Sequence, residues 1–341
     1  MTLISNKALL DKCREFIVAD PSSQAVDRLI KDALVTANRE IFTIDGSTPL
    51  AWARESYDEL FTRANAEISA VTAANPGVIT ADSVDTDLSS DHGFQDDDVV
   101  YIDGIDGMDR LNRRTYLGTR ASATTLTLTQ LDGTNVIDTS GYDAYSAGGK
   151  VCHVGFVLPK ASIEPTAAQI STESYRWTIK RVWDVTFDGH PARPISEEKA
   201  RDMSLLDHAG GRPKFWRYQK YYRGGPDSLS HLLLWYGWPS AKYNVSVHIE
   251  KQYPDLSEWA GAVYPPHPEE IHDCIWHRAL KNLATNAERQ RRESTEGRLM
   301  GQIEVLYAQV WTQKAAEDEA MIKRLSRNML GEMPHYGGTR A

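Results

Sequence analysis

Apolar positions recur along this chain in two different periods, and the switch between them sets out its organisation. At the start, Val26, Leu29, Ile30, Ala33, Leu34, Ala37 and Ile41 fall three and four residues apart, so one helix face is buried. A shorter helix is expected before it, over residues 6–19, closed by Asp20-Pro21, with Ser22 or Ser23 as the next cap. A third helix is expected over residues 50–73 from Trp52, Tyr57, Leu60, Phe61, Ala64, Ile68 and Val71, packed as an antiparallel pair with the second. Near the other end, Ile271, Ile275, Ala279, Leu280 and Leu283 mark a helix whose first turn carries Glu269 and Glu270. A last helix, over residues 297–327, rests on Leu299, Ile303, Leu306, Val310, Ala320 and Leu325. Its middle, residues 313–319, is polar enough to project from the body or to cross another chain.

Between these helices the period falls to two. Strands are expected at residues 99–102, 124–131, 151–158 and 175–187, and Asp132-Gly133 is a turn signal directly after Leu131. A short Ser-capped helix opens at Ser196 and stops before Gly210-Gly211. The stretch from Arg212 to Asn282 then passes from strands into a helix. In it, residues 229–236 and 243–249 flank Gly237-Trp238-Pro239-Ser240, which predicts two strands paired across a turn. Tyr243, Val245, Val247 and Ile249 share the buried face of the second.

The fold class expected is therefore α+β: a helical bundle body, an antiparallel sheet region and a long insertion that is mostly β or loop. Five segments follow: helices of the body at 1–74, the insertion at 75–170, a β region with a short helix at 171–268, helices completing the body at 269–328, and a flexible tail at 329–341.

Composition changes this picture in a few places. A chain of 341 residues with 41% hydrophobic and 25% charged positions can bury a substantial core. Its net charge of -9 argues against a surface that grips nucleic acid throughout, because such affinity comes from neutralising phosphates. Cys13, Cys152 and Cys274 are odd in number and widely spaced, which favours free thiols and a reducing place of synthesis. Neither a signal peptide nor a membrane span is expected from the apolar runs.

Candidate chemistry is sparse. Asp103, Asp106 and Asp109, with Asp96, Asp97 and Asp98 just before them, could offer oxygen ligands to a cation or form a solvated acidic turn; the spacing is not that of a calcium loop. His267, His272 and His277 recur at intervals of five around Cys274, a spacing that spreads them around a helix and does not suit zinc. Asp207-His208, and Glu250 near His248, could each be written as an acid/base pair, though isolated pairs are usually structural. Nucleotide-binding and nucleophile-elbow motifs are missing, so no catalytic residue, cofactor or metal is assigned. In residues 214–223, aromatic and basic side chains interleave. Lys214, Trp216, Arg217, Lys220 and Arg223 could face DNA or a neighbouring subunit, or the run could be a strand packed on its aromatic side.

The order of elements resembles the head-to-tail adaptor proteins of tailed bacteriophages, the group that includes the podovirus tail tubular protein A. The resemblance is carried by Pro194-Ile195-Ser196, by Gly211-Arg212-Pro213-Lys214-Phe215-Trp216, by residues 232–235 with Trp238-Pro239, by the strand at 243–250 and by the helix at 265–284. It covers residues 26–73 and 175–327, and the segment 75–170 is a departure from smaller members. The resemblance implies a non-enzymatic virion protein made in the host cytoplasm. It would form a ring of about twelve copies under the portal protein, extend the DNA channel and offer its lower face to a tail nozzle or tail tube. Portal contact would fall on Leu325, Arg327, Met329, Leu330, Met333 and Tyr336. A peripheral tail, fibre-anchoring or decoration protein, and an enzyme acting on cell wall or nucleic acid, are the alternatives.

Overall fold

The computed structural model describes residues 4–18, 24–44, 50–83, 91–131, 133, 135–158, 178–202, 211–222, 229–253, 255–256, 259, 265–293 and 304–332. The chain is α+β and divides into two compact units: residues 1–55, 162–178 and 250–341 form one, residues 56–161 and 179–249 the other.

The first unit is helical. It holds α1 (Asn6–Glu15), a two-residue strand β1 (Ile17–Val18), and α2 (Gln24–Ile41) from one flank of the chain. The other flank supplies α4 (His272–Glu293), β15 (Glu304–Val305) and α5 (Ala308–Glu332). Helix α1 starts where Ser5 Oγ accepts the Ala8 N–H, the usual way of satisfying a free donor at a helix start. The expected stripe of α2 is buried: Val26, Ile30, Leu34, Ala37 and Ile41 meet Ile271, Ile275, Ala279, Leu280 and Leu283 in one core. Such burial, at roughly 25 cal/mol per Å² of apolar surface, is what holds helices of this length together.

The second unit contains β2 (Arg54–Phe61), which starts at the end of the first unit, then β3 (Ala66–Val71), β4 (Val78–Ser83), β5 (Asp98–Asp106), β6 (Arg114–Arg120), β7 (Thr125–Thr129) and β8 (Ala147–Leu158). It continues with β9 (Thr178–Phe187), β10 (His190–Pro191), β11 (Arg193–Pro194), α3 (Glu197–Asp202), β12 (Phe215–Tyr222), β13 (Leu229–Tyr236) and β14 (Asn244–Gln252). A nine-stranded sheet runs β11-β12-β13-β8-β3-β4-β7-β6-β5, and β5 also pairs with β8, so the strands from β3 through β5 and back to β8 close into a barrel. Long β8 makes this possible. On one side it pairs with β5 over most of its length; on the other, Lys150 and Val151 meet β3 while Gly155–Leu158 meet β13. Closure removes the free edges that an open sheet would expose. Strand β5 is accordingly buried on both faces: Val100 and Ile102 belong to the core with Ile79, Leu126 and Val151, and Val99 and Tyr101 to a second cluster with Cys152, Val154 and Leu232. A separate four-stranded sheet is ordered β10-β9-β14-β2.

Three expectations are corrected here. Residues 50–73 form a short 3-10 turn (Ala51–Ala53) followed by β2 and β3, not a helix. Apolar residues in that stretch suit either period; Ala66, Ile68 and Val71 turn inward as a bulged strand beside β4, and the barrel takes them. Next, β13 and β14 do not pair with each other. Both edges of β13 are taken by β12 and β8, and Gly237, at φ 106, redirects the chain so that β14 enters the other sheet. On β14, Val245, Val247 and Ile249 are buried as expected, while Tyr243 precedes the strand and is half-buried.

In the last helix, residues 297–303 lie outside the described residues, Glu304–Val305 is a strand, and the helix begins at Ala308. Leu306 and Val310 are exposed, while Trp311, Ala315 and Ile322 are the buried stripe. Its polar middle does not simply project, because Asp318 and Glu319 meet side chains of α4. The Ser196 cap holds, with its hydroxyl accepting the Lys199 N–H at 3.3 Å.

Candidate functional site

The acidic stretch is a tight connection in the barrel. Gly104 and Gly107 adopt positive φ, and a Cβ on Gly107 would lie 2.1 Å from the Ala144 carbonyl oxygen. Asn112 closes the loop: its Oδ1 accepts the Ile105 N–H at 2.8 Å and its Nδ2 donates to the Ile105 carbonyl at 2.7 Å. Met108 and Leu111 are buried between. Asp106 and Asp109 are exposed, and Asp103 lies 3.7 Å from Arg113 Nε. Among the described residues no group of three or more His, Cys, Asp or Glu side chains is placed to hold a metal ion, so the three carboxylates do not converge. The role of Asn112 could have been suspected from the glycines before it, which turn the chain back on itself.

The aromatic and basic run is β12, and the structure distributes its residues. Trp216 is buried, with its indole N–H donating to the Ala192 carbonyl at 3.1 Å, so it offers no base-stacking surface. Tyr218 OH bonds Nδ1 of His231 and lies 3.2 Å from the Ile179 carbonyl. Arg217 pairs with Glu197 of α3 at 3.0 Å. Lys214 and Lys220 are exposed, and Arg223 lies outside the described residues. The run is thus mainly a packed strand of the nine-stranded sheet.

Asp98, which opens β5, forms a buried polar cluster with His153 of β8 and with Arg63. His153 is fully buried; its Nδ1 accepts the Arg63 backbone N–H at 2.9 Å, which leaves the proton on Nε2, 3.3 Å from Asp98 Oδ1. Asp98 Oδ2 accepts the Gln95 N–H at 2.8 Å. Burial pushes the Asp98 carboxyl upward, but His153, the Gln95 N–H and Arg63 together hold it below the usual carboxylate range. Phe94, Phe156 and Trp235 wall the imidazole edge-on, and Trp235 donates to the His153 carbonyl at 2.9 Å. The cluster ties four segments of the unit together.

The three histidines of the helical unit take separate partners; His272 and His277 lie on α4, whereas His267 precedes the helix, so the helical spacing does not apply to it. His267 faces Asn38 and Trp52, His272 Nε2 lies 2.9 Å from the His267 carbonyl oxygen, and His277 Nδ1 lies 2.9 Å from Asp318 Oδ2. Beside His277, Arg278 pairs with Glu319 at 3.3 Å, and Glu319 also takes Lys323 at 2.9 Å. A groove of about 380 Å³ lies between α2 and α4, with Leu29, Ala33 and Leu283 among its lining residues. Glu40 is held at its rim by Asn282 Nδ2, at 3.1 and 3.2 Å from its two oxygens.

Of the residues expected at a portal contact, Leu325 packs on the helical core, Arg327 is exposed and Met329 is half-buried on α5. Leu330 lies within α5, and Met333 and Tyr336 lie outside the described residues, as do Asp207 and His208. What the sequence reading missed is an exposed apolar corner. Ile17 and Val18 pair with Val305 and Glu304, and the Leu306 N–H reaches the Phe16 carbonyl at 2.9 Å. Val18, Leu306, Tyr307 and Val310 thereby come to the surface together, with Tyr307 67% exposed at φ 59. No helix among the described residues is long and apolar enough to cross a membrane. Comparison with models of known protein families and with curated proteins found no match.

Proposed function

We propose that this chain is a structural, self-assembling virion protein, the head-to-tail adaptor that joins a phage portal to its tail and extends the DNA channel. The observation that carries the reading is the way the helical unit is made. Helices from the two flanks of the chain share one core, and the strand-rich segments are inserted between them. Helices near both ends of the chain are what the resemblance implies for the ring-forming body; the barrel falls largely in residues 75–170, where the chain departs from smaller members.

The exposed apolar corner is a second support, since exposed apolar side chains gathered at one place often belong to an interface. The acidic balance of -9 suits a wall past which DNA slides without being gripped. Partners on this reading are other copies of the chain, the portal protein and a tail nozzle or tail tube protein.

Electron microscopy of the purified protein mixed with its portal tests the proposal. Rings of defined symmetry seated on the portal are expected. Monodisperse protein that ignores the portal, or a particle reconstruction that places the chain away from the portal vertex, would sink it.

A further inference from the structure

We infer that His272 is an acid-sensitive latch for the N-terminal helix: as a neutral imidazole it pins the chain ahead of α1 to the start of α4, and a proton on its ring releases that hold.

Both ring nitrogens of His272 meet main-chain groups whose roles are fixed, and the side chain is only 1% exposed. Nδ1 lies 3.3 Å from the backbone nitrogen of Ile4, whose N–H can only donate, so Nδ1 accepts. Nε2 lies 2.9 Å from the His267 carbonyl oxygen, which can only accept, so Nε2 carries the ring proton. A second proton, on Nδ1, would set one N–H against another, and the Ile4 contact breaks. A hydroxyl or a side-chain amide could turn to adapt; a backbone N–H cannot.

Ile4 adjoins Ser5, whose hydroxyl caps α1, so the latch bears directly on the first turn of that helix. Farther along, α1 is held by the Lys12–Asp273 pair at 2.7 Å and by Leu9, Leu10 and Cys13 in the shared core. Its far end runs into β1, which pairs with β15.

The groups around the ring come from each element packed on it. Glu269 and Glu270 lie in the turn before α4, Asp273 follows on the helix, and the ring of His267 is turned to Asn38 of α2 and to Trp52. From α1, Lys12 is engaged with Asp273. Burial lowers the His272 pKa, while the His267 carbonyl and the charges of Glu269, Asp273 and Glu270 work the other way. A place in the first turn of α4, where the helix dipole disfavours a cation, adds to the lowering. Burial works upward on Asp273, yet Lys12 and Trp276 hold it below the usual carboxylate range, so it stays charged while His272 takes its proton. Once α1 has come away, the imidazole titrates near its ordinary value of about 6.5. Opening therefore takes up a proton: the latch holds fully above that pH and weakens as the pH falls below it.

Hydrogen exchange of the full-length chain between about pH 8 and 5, with the intrinsic pH dependence divided out, tests the latch. Protection over residues 5–15 of the wild type should be level above about pH 6.5 and fall below it by up to about tenfold per pH unit, the slope for one proton taken up on opening. His272→Gln should flatten that slope, because its amide can accept from Ile4 and donate to the His267 carbonyl but takes up no proton. His267→Gln should keep it, since that ring faces Trp52 and Asn38. A level wild type, an unchanged slope in His272→Gln, or a slope lost with His267→Gln would each overturn the latch. Nuclear magnetic resonance of the wild type needs no variant: the His272 ring should be the Nε2–H tautomer at neutral pH, and an Nδ1–H tautomer or an imidazolium there would also overturn it.

Discussion

Trp52 donates its indole N–H to Nδ1 of His267 at 3.3 Å, and this one contact decides the protonation state of a buried imidazole. With Nδ1 accepting, the ring proton sits on Nε2, which faces Asn38 Oδ1 at 2.9 Å. A proton added at Nδ1 would turn one N–H against another in a site without water-like compensation. Burial, with His272 nearby, lowers the His267 pKa to about 3.

Stability should therefore fall as the pH drops below about 6.5. Between that value and about 3 the unfolded chain binds a proton that folded His267 refuses, so the contribution is complete at neutral pH and is lost on acidification. The slope from this residue is about 1.4 kcal/mol per pH unit. Urea unfolding of the wild type and of His267→Gln from pH 7 to 4 checks it. The variant should be less stable at pH 7 and show a shallower pH dependence; parallel curves would refute the assignment.

The pairing of His277 with Asp318 fixes how α5 lies on α4. Asp318→Ala leaves a buried imidazole nitrogen without its partner at 2.9 Å, and a loss of about 1–3 kcal/mol is expected. Hydrogen exchange should rise along α5 and not in the barrel strands. Uniform exchange throughout would mean that the pair holds nothing locally.

Gly107→Ala should cost about 2 kcal/mol or more, because the new Cβ meets the Ala144 carbonyl at 2.1 Å and the backbone sits at φ 96. Gly141→Ala is the control, with open space around its Cβ and an expected change near zero. Thermal melts that rank the two variants equally would show that the loop geometry around Asp103 to Asn112 is wrong.

The thiols should be silent in the folded protein. Burial pushes Cys13 and Cys274 well above the usual thiol range and Cys152 up to about 12. Native protein should react with a disulfide reagent orders of magnitude more slowly than urea-unfolded protein. Fast native labelling of any of the three would contradict the packing described.

Asp98→Asn tests the barrel's polar cluster. The exchange keeps the shape and removes the charge facing His153 and Arg63, and breaking a buried arrangement of this kind costs about 3 kcal/mol. Tryptophan emission should also shift, since Trp235 stacks edge-on to His153. An unchanged melting temperature would reduce the cluster to a bystander.

How much of this was legible before the fold was known varies from element to element, for physical reasons. The stripe of α2 and the alternation of β14 could be read from the sequence because each stands out in a single period and is buried on a single face. The same held for the Ser196 cap, which needs only local geometry. Other features depended on partners distant in the chain. Residues 54–71 carry apolar groups that fit a helix or a strand, and pairing with β4 and β14 decided for strand. β13 could not pair with β14 because β12 and β8 had already taken both its edges. Closure of the barrel, the burial of His153 and Trp216, and the exposure of Leu306 and Val310 rest on contacts between segments tens to hundreds of residues apart. Local period fixes which face of an element is apolar; only the competition among edges and faces in three dimensions settles what covers it, and what is left uncovered for another chain.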